Sequence, residues 1–105
     1  MVLLILRMKV LPEKYMELSQ TIALLIGSIR TEEGCSRCEF CQSTEDENRL
    51  FLLEEWKTRE NLMTHLKSRR FSVLRGAMAL LREPCEMVFH TVFHPVEMGE
   101  ISCGN

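Results

Sequence analysis

The sequence predicts an α+β domain with the element order β-α-β-β-α-α-β, a four-stranded sheet carrying its helices on one face. Three observations predict it. Short apolar runs of strand length open the chain, recur in its middle and close it. Stripes of apolar residues at spacings of three and four separate those runs, as amphipathic helices require. Proline, glycine or all-polar turns stand at the changes of period. A chain of 105 residues suits one domain, the commonest size being about 100–150 residues. The pattern spans residues 1–94, and PVEMGEISCGN (95–105) has no period and reads as a C-terminal tail.

Residues 2–11 form the first strand. Leu4, Leu6, Met8 and Val10 share one face, while Leu3, Ile5, Arg7 and Lys9 share the other. Pro12 ends it, because proline fixes φ and has no N–H for a ladder. From Glu13 the period changes, and Tyr15, Leu18, Ile22, Leu25 and Ile29 make one helical stripe. That helix stops at Thr31-Glu32-Glu33-Gly34, where glycine suits the left-handed turn that closes a helix.

Thr44-Glu45-Asp46-Glu47-Asn48 is all polar and reads as a turn before a second evident strand, Arg49 to Trp56. A short polar turn between extended runs makes a hairpin, so residues 35–43 are its first arm. Thr58 is a good N-cap with Glu60 in the first turn of the next helix, whose Leu62, His65 and Leu66 share a face. A further helix carries Phe71, Leu74, Met78 and Leu81 on one side, and Gly76 within it suggests a close approach to the sheet. Pro84 ends this region and Glu86 to Phe93 is the last strand.

These helices can cover only one face of the sheet. Yet VLLIL and LFLL are apolar on both alternations, unlike a sheet with one wet face. A second copy packed sheet on sheet with two-fold symmetry would cover the other face, so a homodimer is expected. The 13 basic and 15 acidic residues leave a formal net charge of -2. No global field therefore favours nucleic acid or an anionic membrane. The run Lys67-Ser68-Arg69-Arg70 reads as a solvated helix face. The apolar start is too short to span a bilayer and lacks the basic residues of a signal peptide. Five cysteines without such a signal fit free thiols in the cytoplasm.

GCSRCEFC sets Cys35, Cys38 and Cys41 three apart, a spacing that invites a metal. On a regular strand Cys35 and Cys41 share a face about 20 Å apart and Cys38 points the other way. The thiols then cannot meet on one ion, so no metal is expected there. His90 and His94 share a face of the last strand but lack further ligands.

Glu33-Gly34-Cys35 at a helix end, the hairpin, and LFLLEEWKTRENLMTHLKSRRF over residues 50–71 together resemble the antibiotic biosynthesis monooxygenase domain. Its pattern of glutamate, tryptophan, histidine and phenylalanine falls on Glu54, Trp56, His65 and Phe71. The resemblance covers roughly residues 2–93. It implies a ferredoxin-like fold of the dimeric α+β barrel class, and includes cofactor-free oxygenation of quinols among the family's activities. His65 is then the candidate base, since an imidazole with a pKa near ~6.5 can take a proton from a phenol. Trp56 would wall the site for a flat aromatic substrate, and Glu54 would orient His65 or pair with Arg7 or Lys9. Phe71, Leu62 and Leu52 are candidates for the substrate pocket. No cofactor is expected. The haem-degrading branch relies on a first-strand asparagine that residues 2–11 lack, and the isomerase branch needs a phosphate site not evident here. A dimeric ligand-binding or redox-responsive module without turnover is the alternative.

Overall fold

The computed structural model describes residues 1–93. Four strands and three helices follow the expected order: β1 (Val2–Lys9), α1 (Tyr15–Arg30), β2 (Cys35–Gln42), β3 (Arg49–Trp56), α2 (Arg59–Leu66), α3 (Arg69–Ala77) and β4 (Glu86–Thr91). The sheet is open and wholly antiparallel, in the spatial order β2-β3-β1-β4. The tail beginning at Pro95, and His94 with it, lies outside the described residues.

Alternation on β1 divides the two faces as the sequence suggests. Leu4, Leu6, Met8 and Val10 are buried with Leu50 and Leu52 of β3, beneath Leu18, Ile22 and Ile29 of α1 and Phe71 and Leu74 of α3. Leu3, Ile5, Phe51, Leu53 and Val88 lie on the opposite side, half-exposed, with no helix over them among the described residues.

Pro12 behaves as a breaker, and a 3₁₀ turn at Pro12–Lys14 then leads into α1. The last helix is shorter than its stripe implied. It gives way to a 3₁₀ turn at Met78–Leu80, and Leu81 becomes extended to bridge Val10. Pairing with β1 requires extended backbone, so the helix must stop first. Gly76 makes no close approach to the sheet, because a Cβ there would meet nothing within 4 Å. β4 ends at Thr91, two residues earlier than expected, and Phe93 is exposed.

The cysteine strand departs further from the regular alternation expected of it. Cys35 lies opposite Trp56, Arg37 opposite Glu55 and Cys38 opposite Glu54, so the register shifts between Cys35 and Arg37. This β-bulge inserts Ser36 as an extra residue and resets the alternation. Cys35 and Cys38 consequently share the helix-covered face, and Cys41, opposite Phe51, lies on the open one. The far end of the hairpin is a turn held by local bonds. Gln42 Nε2 donates to the Glu47 carbonyl at 2.9 Å, and Asn48 N–H donates to Asp46 Oδ1 at 2.9 Å.

Candidate functional site

The end of α1 and the start of α2 are locked together by small polar groups. Gly34 has φ of +83°, the left-handed conformation that glycine adopts without a Cβ penalty. A Cβ at this position would also overlap the side chain of Asn61. Asn61 N–H in turn donates to Thr58 Oγ1 at 3.0 Å, the N-cap bond of α2. The hairpin is tied to the same point, since Lys57 N–H donates to the Gly34 carbonyl at 2.8 Å. This junction brings Glu32, at the end of α1, against His65, one face of α2.

His65 is wholly buried, on the face of α2 that it shares with Leu62. Its Nδ1 lies 3.1 and 3.0 Å from the two carboxylate oxygens of Glu32. Its Nε2 lies 3.0 Å from Glu54 Oε1, an ion-pair distance, but off the direction of a hydrogen bond. Trp56 Nε1–H donates to that same oxygen at 3.0 Å. The Trp56 ring stacks on the imidazole with centroids 4.5 Å apart, and Phe71 meets the imidazole edge-on at 5.4 Å. Glu54 does not pair with Arg7 or Lys9, whose nearest carboxylates are Glu86 and Glu83 at 3.8 and 4.0 Å.

Burial alone would lower the pKa of His65, because an apolar surrounding disfavours the cation. The close contact and charge of Glu54, and then of Glu32, outweigh that effect and raise it above the ordinary 6.5. The imidazole, sandwiched between two carboxylates, therefore holds its proton more tightly than a free one. The other oxygen of Glu54, Oε2, is buried and finds no hydrogen-bond partner among the described residues. A buried carboxylate oxygen left open is a ready acceptor, since an unpaired polar group in the interior is costly.

Glu54, Trp56, His65 and Phe71 come together as one cluster, with Leu62 beside it in the core. Leu52 is fully buried in the core. Only Leu62 of the three pocket candidates also lines an open groove. That groove, about 320 Å³, runs between α2 and β4 and is bounded by Val2, Arg59, Leu62, Met63, Leu66, Phe89 and Thr91. Glu32 is the member that the sequence reading missed. It stands 33 positions before His65 in a run that reads as a turn, and its only signal is its place just ahead of Gly34. Among the described residues, no helix is long and apolar enough to cross a membrane.

Comparison with known proteins agrees with this fold. Residues 1–76 match the family model described as antibiotic biosynthesis monooxygenase. A solved antibiotic biosynthesis monooxygenase is similar at 20% identity and a TM-score of 0.81, over 90% of this chain and 100% of its own. A conserved protein from Methanosarcina mazei Go1 is 28% identical with a TM-score of 0.81, covering 85% of this chain and 89% of that one. Rv0793 from Mycobacterium tuberculosis is 23% identical with a TM-score of 0.84, over 91% and 98%. No curated protein matches the chain. With a family model spanning most of its length and the same fold in solved relatives, the chain belongs to the antibiotic biosynthesis monooxygenase family.

Proposed function

We propose that the protein is a cofactor-independent monooxygenase that oxidises a small hydroquinone or polyphenol with O₂. Membership of the family supports the general reaction. The observation that carries the finer reading is the buried Glu32–His65–Glu54 cluster under the Trp56 ring. The electrons come from the substrate. Neutral His65 takes a phenolic proton, and the electron-rich anion passes one electron to O₂. Recombination of the radical pair forms a C–O bond, and loss of water leaves a hydroxyquinone. For the parent hydroquinone, C₆H₆O₂ and O₂ give C₆H₄O₃ and H₂O, which balances.

In this reading Glu54 and Glu32 hold the imidazole between them, and Trp56 forms the aromatic wall. The groove of about 300 Å³ that His65 and Glu32 line with Asn61, Thr64 and Ser68 offers a flat ring its approach, and the buried surroundings of the cluster shield the radical pair. A second copy covers Leu3, Ile5, Phe51, Leu53 and Val88, since an apolar surface of that extent is unusual on a monomer. Cys35, Cys38, Cys41 and Cys85 are free thiols, as suits a reducing cytoplasm.

Oxygen consumption with a panel of hydroquinones tests the proposal, with chelator present and heat-denatured protein as background. His65→Ala should lose ~10²–10⁴ of the rate, the usual cost of removing a general base. His65→Gln keeps volume and polarity at this buried position and should lose as much while staying folded. Because His65 must be neutral to act, the rate should climb as pH rises above the ordinary imidazole range. Equal consumption by wild type and both variants would remove the catalytic role. A second reading, a dimeric ligand-binding or redox-responsive module without turnover, would then stand. The complete burial of both His65 and Trp56 favours that reading.

A further inference from the structure

The bulge in β2 gives the C-x-x-C stretch a geometry that a regular strand denies it. On a straight strand, residues three apart face opposite sides with Cα atoms about 10 Å apart. Here Cys35 and Cys38 stand opposite Trp56 and Glu54, two residues that are themselves neighbours on one face of β3. Residues so placed on one strand face stand about 6.6 Å apart at Cα, twice the rise of a strand, at the upper end of the Cα span of a disulfide. A bond between them therefore draws the already bulged strand together locally. Cys35 Sγ lies 3.6 Å from the carbonyl oxygen of Arg37, the group bonded directly to the Cys38 nitrogen. The thiol thus leans along the strand toward its neighbour.

The two thiols differ in access. Cys38 is buried at 1% exposure and Cys35 is half-buried. Both line an open groove of about 400 Å³ at the sheet edge, together with Arg30, Ser36, Arg37 and Glu39. Arg30 Nε–H donates to the Cys38 carbonyl at 2.9 Å, which braces the backbone behind it.

We propose that Cys35 and Cys38 are an oxidisable dithiol, a modification site at which a peroxide converts two thiols into one intrastrand disulfide. Cys35 reacts first. Its sulfur attacks hydrogen peroxide, the O–O bond breaks, an S–O bond forms and water leaves, giving a sulfenic acid. Cys38 then attacks that sulfur, the S–S bond forms, the S–O bond breaks and a second water leaves. Two thiols lose two electrons and two protons, and one peroxide becomes two waters. Burial, and after it the charge of Glu54, push both thiols up, Cys38 to about 12. The reaction is therefore slow at neutral pH, and the difference in access sets its order: Cys35, half-buried, meets the peroxide, and Cys38, buried beside it, resolves the sulfenic acid.

The test uses the full reduced chain, treated with hydrogen peroxide, then unfolded, alkylated and mapped by mass spectrometry without reductant. Five thiols alkylate before treatment, and three should remain afterwards, with Cys35 and Cys38 joined in one peptide. Cys41→Ser should form the same link. Cys38→Ser should form none, and should instead accumulate a dimedone-reactive sulfenic acid at Cys35. Five alkylated thiols after treatment, or linkage of Cys35 to any cysteine other than Cys38, would overturn the assignment.

Discussion

The two faces of the sheet begin with similar apolar side chains and end in different states. Leu4, Leu6 and Leu52 on the helix side are 2% exposed or less, whereas Leu3, Ile5 and Leu53, one position away, stay half-exposed. What differs is the cover. α1 and α3 fill one side, and among the described residues no element lies above the other side of a single copy. The charged groups divide in the same way. On the covered side Glu54 and His65 are buried only because each has the other, with Glu32 and Trp56 as further partners. On the open side Arg7 and Glu86 meet at 3.8 Å with more than half of each side chain exposed. A charge needs a built partner where water is excluded and needs none where it is not.

That contrast can be broken most sharply at neighbouring leucines of β3. Leu52→Ala should cost about 2–5 kcal/mol, the range for a leucine removed from a packed core, read as a lower denaturation midpoint. Leu53→Asp, one residue away, should leave the fold intact by circular dichroism. Its effect should appear in sedimentation, as monomer under conditions where wild type is expected to sediment as a dimer. A wild type that sediments as a folded monomer at micromolar concentration would remove the basis for a covered second face.

A smaller effect is expected with pH. The folded-state pKa of His65 is raised, so the cluster's contribution is complete below the unfolded value of about 6.5. It is lost as pH rises through the folded value. Denaturation midpoints should therefore fall from pH 6 toward alkaline pH, and Glu32→Gln should flatten that slope. The smallest effect belongs to the open side. Glu86→Gln should change stability by less than about 1 kcal/mol, as is usual for an exposed ion pair.

Strands, helices and breakers were legible because each leaves a local mark: alternation on Leu4 to Val10, a stripe from Tyr15 to Ile29, a cap at Thr58. The grouping of Glu54, Trp56, His65 and Phe71 was legible as well, through strand alternation, helical spacing and family pattern together. Glu32 was not, because its contact with His65 is set by how Gly34 and Asn61 seat α1 against α2, and no periodicity records that. The faces of Cys35 and Cys41 were misassigned for a related reason. A bulge is a property of the pairing between β2 and β3, and GCSRCEFC by itself does not show which residue is extra.

The hairpin of β2 and β3 has one fastened end and one loose end. At Gly34 the left-handed backbone and the seat of Asn61 leave no room for a side chain, and the bond from Lys57 ties the strand end to the same point. At residues 43–48 the bonds are between near neighbours, and the strands carry that turn roughly 25 Å away from the His65 cluster. The chain therefore has a natural graft point between Thr44 and Glu45. A foreign peptide placed there would fall within three bonds of the turn, from Glu45 N–H to Ser43 Oγ at 3.2 Å, from Gln42 Nε2 to the Glu47 carbonyl at 2.9 Å and from Ser43 N–H to the Arg49 carbonyl at 3.0 Å, none of which reaches the site. Surface turns of this kind are where folded chains accept insertions, so a probe or a tether can be carried there without disturbing the site.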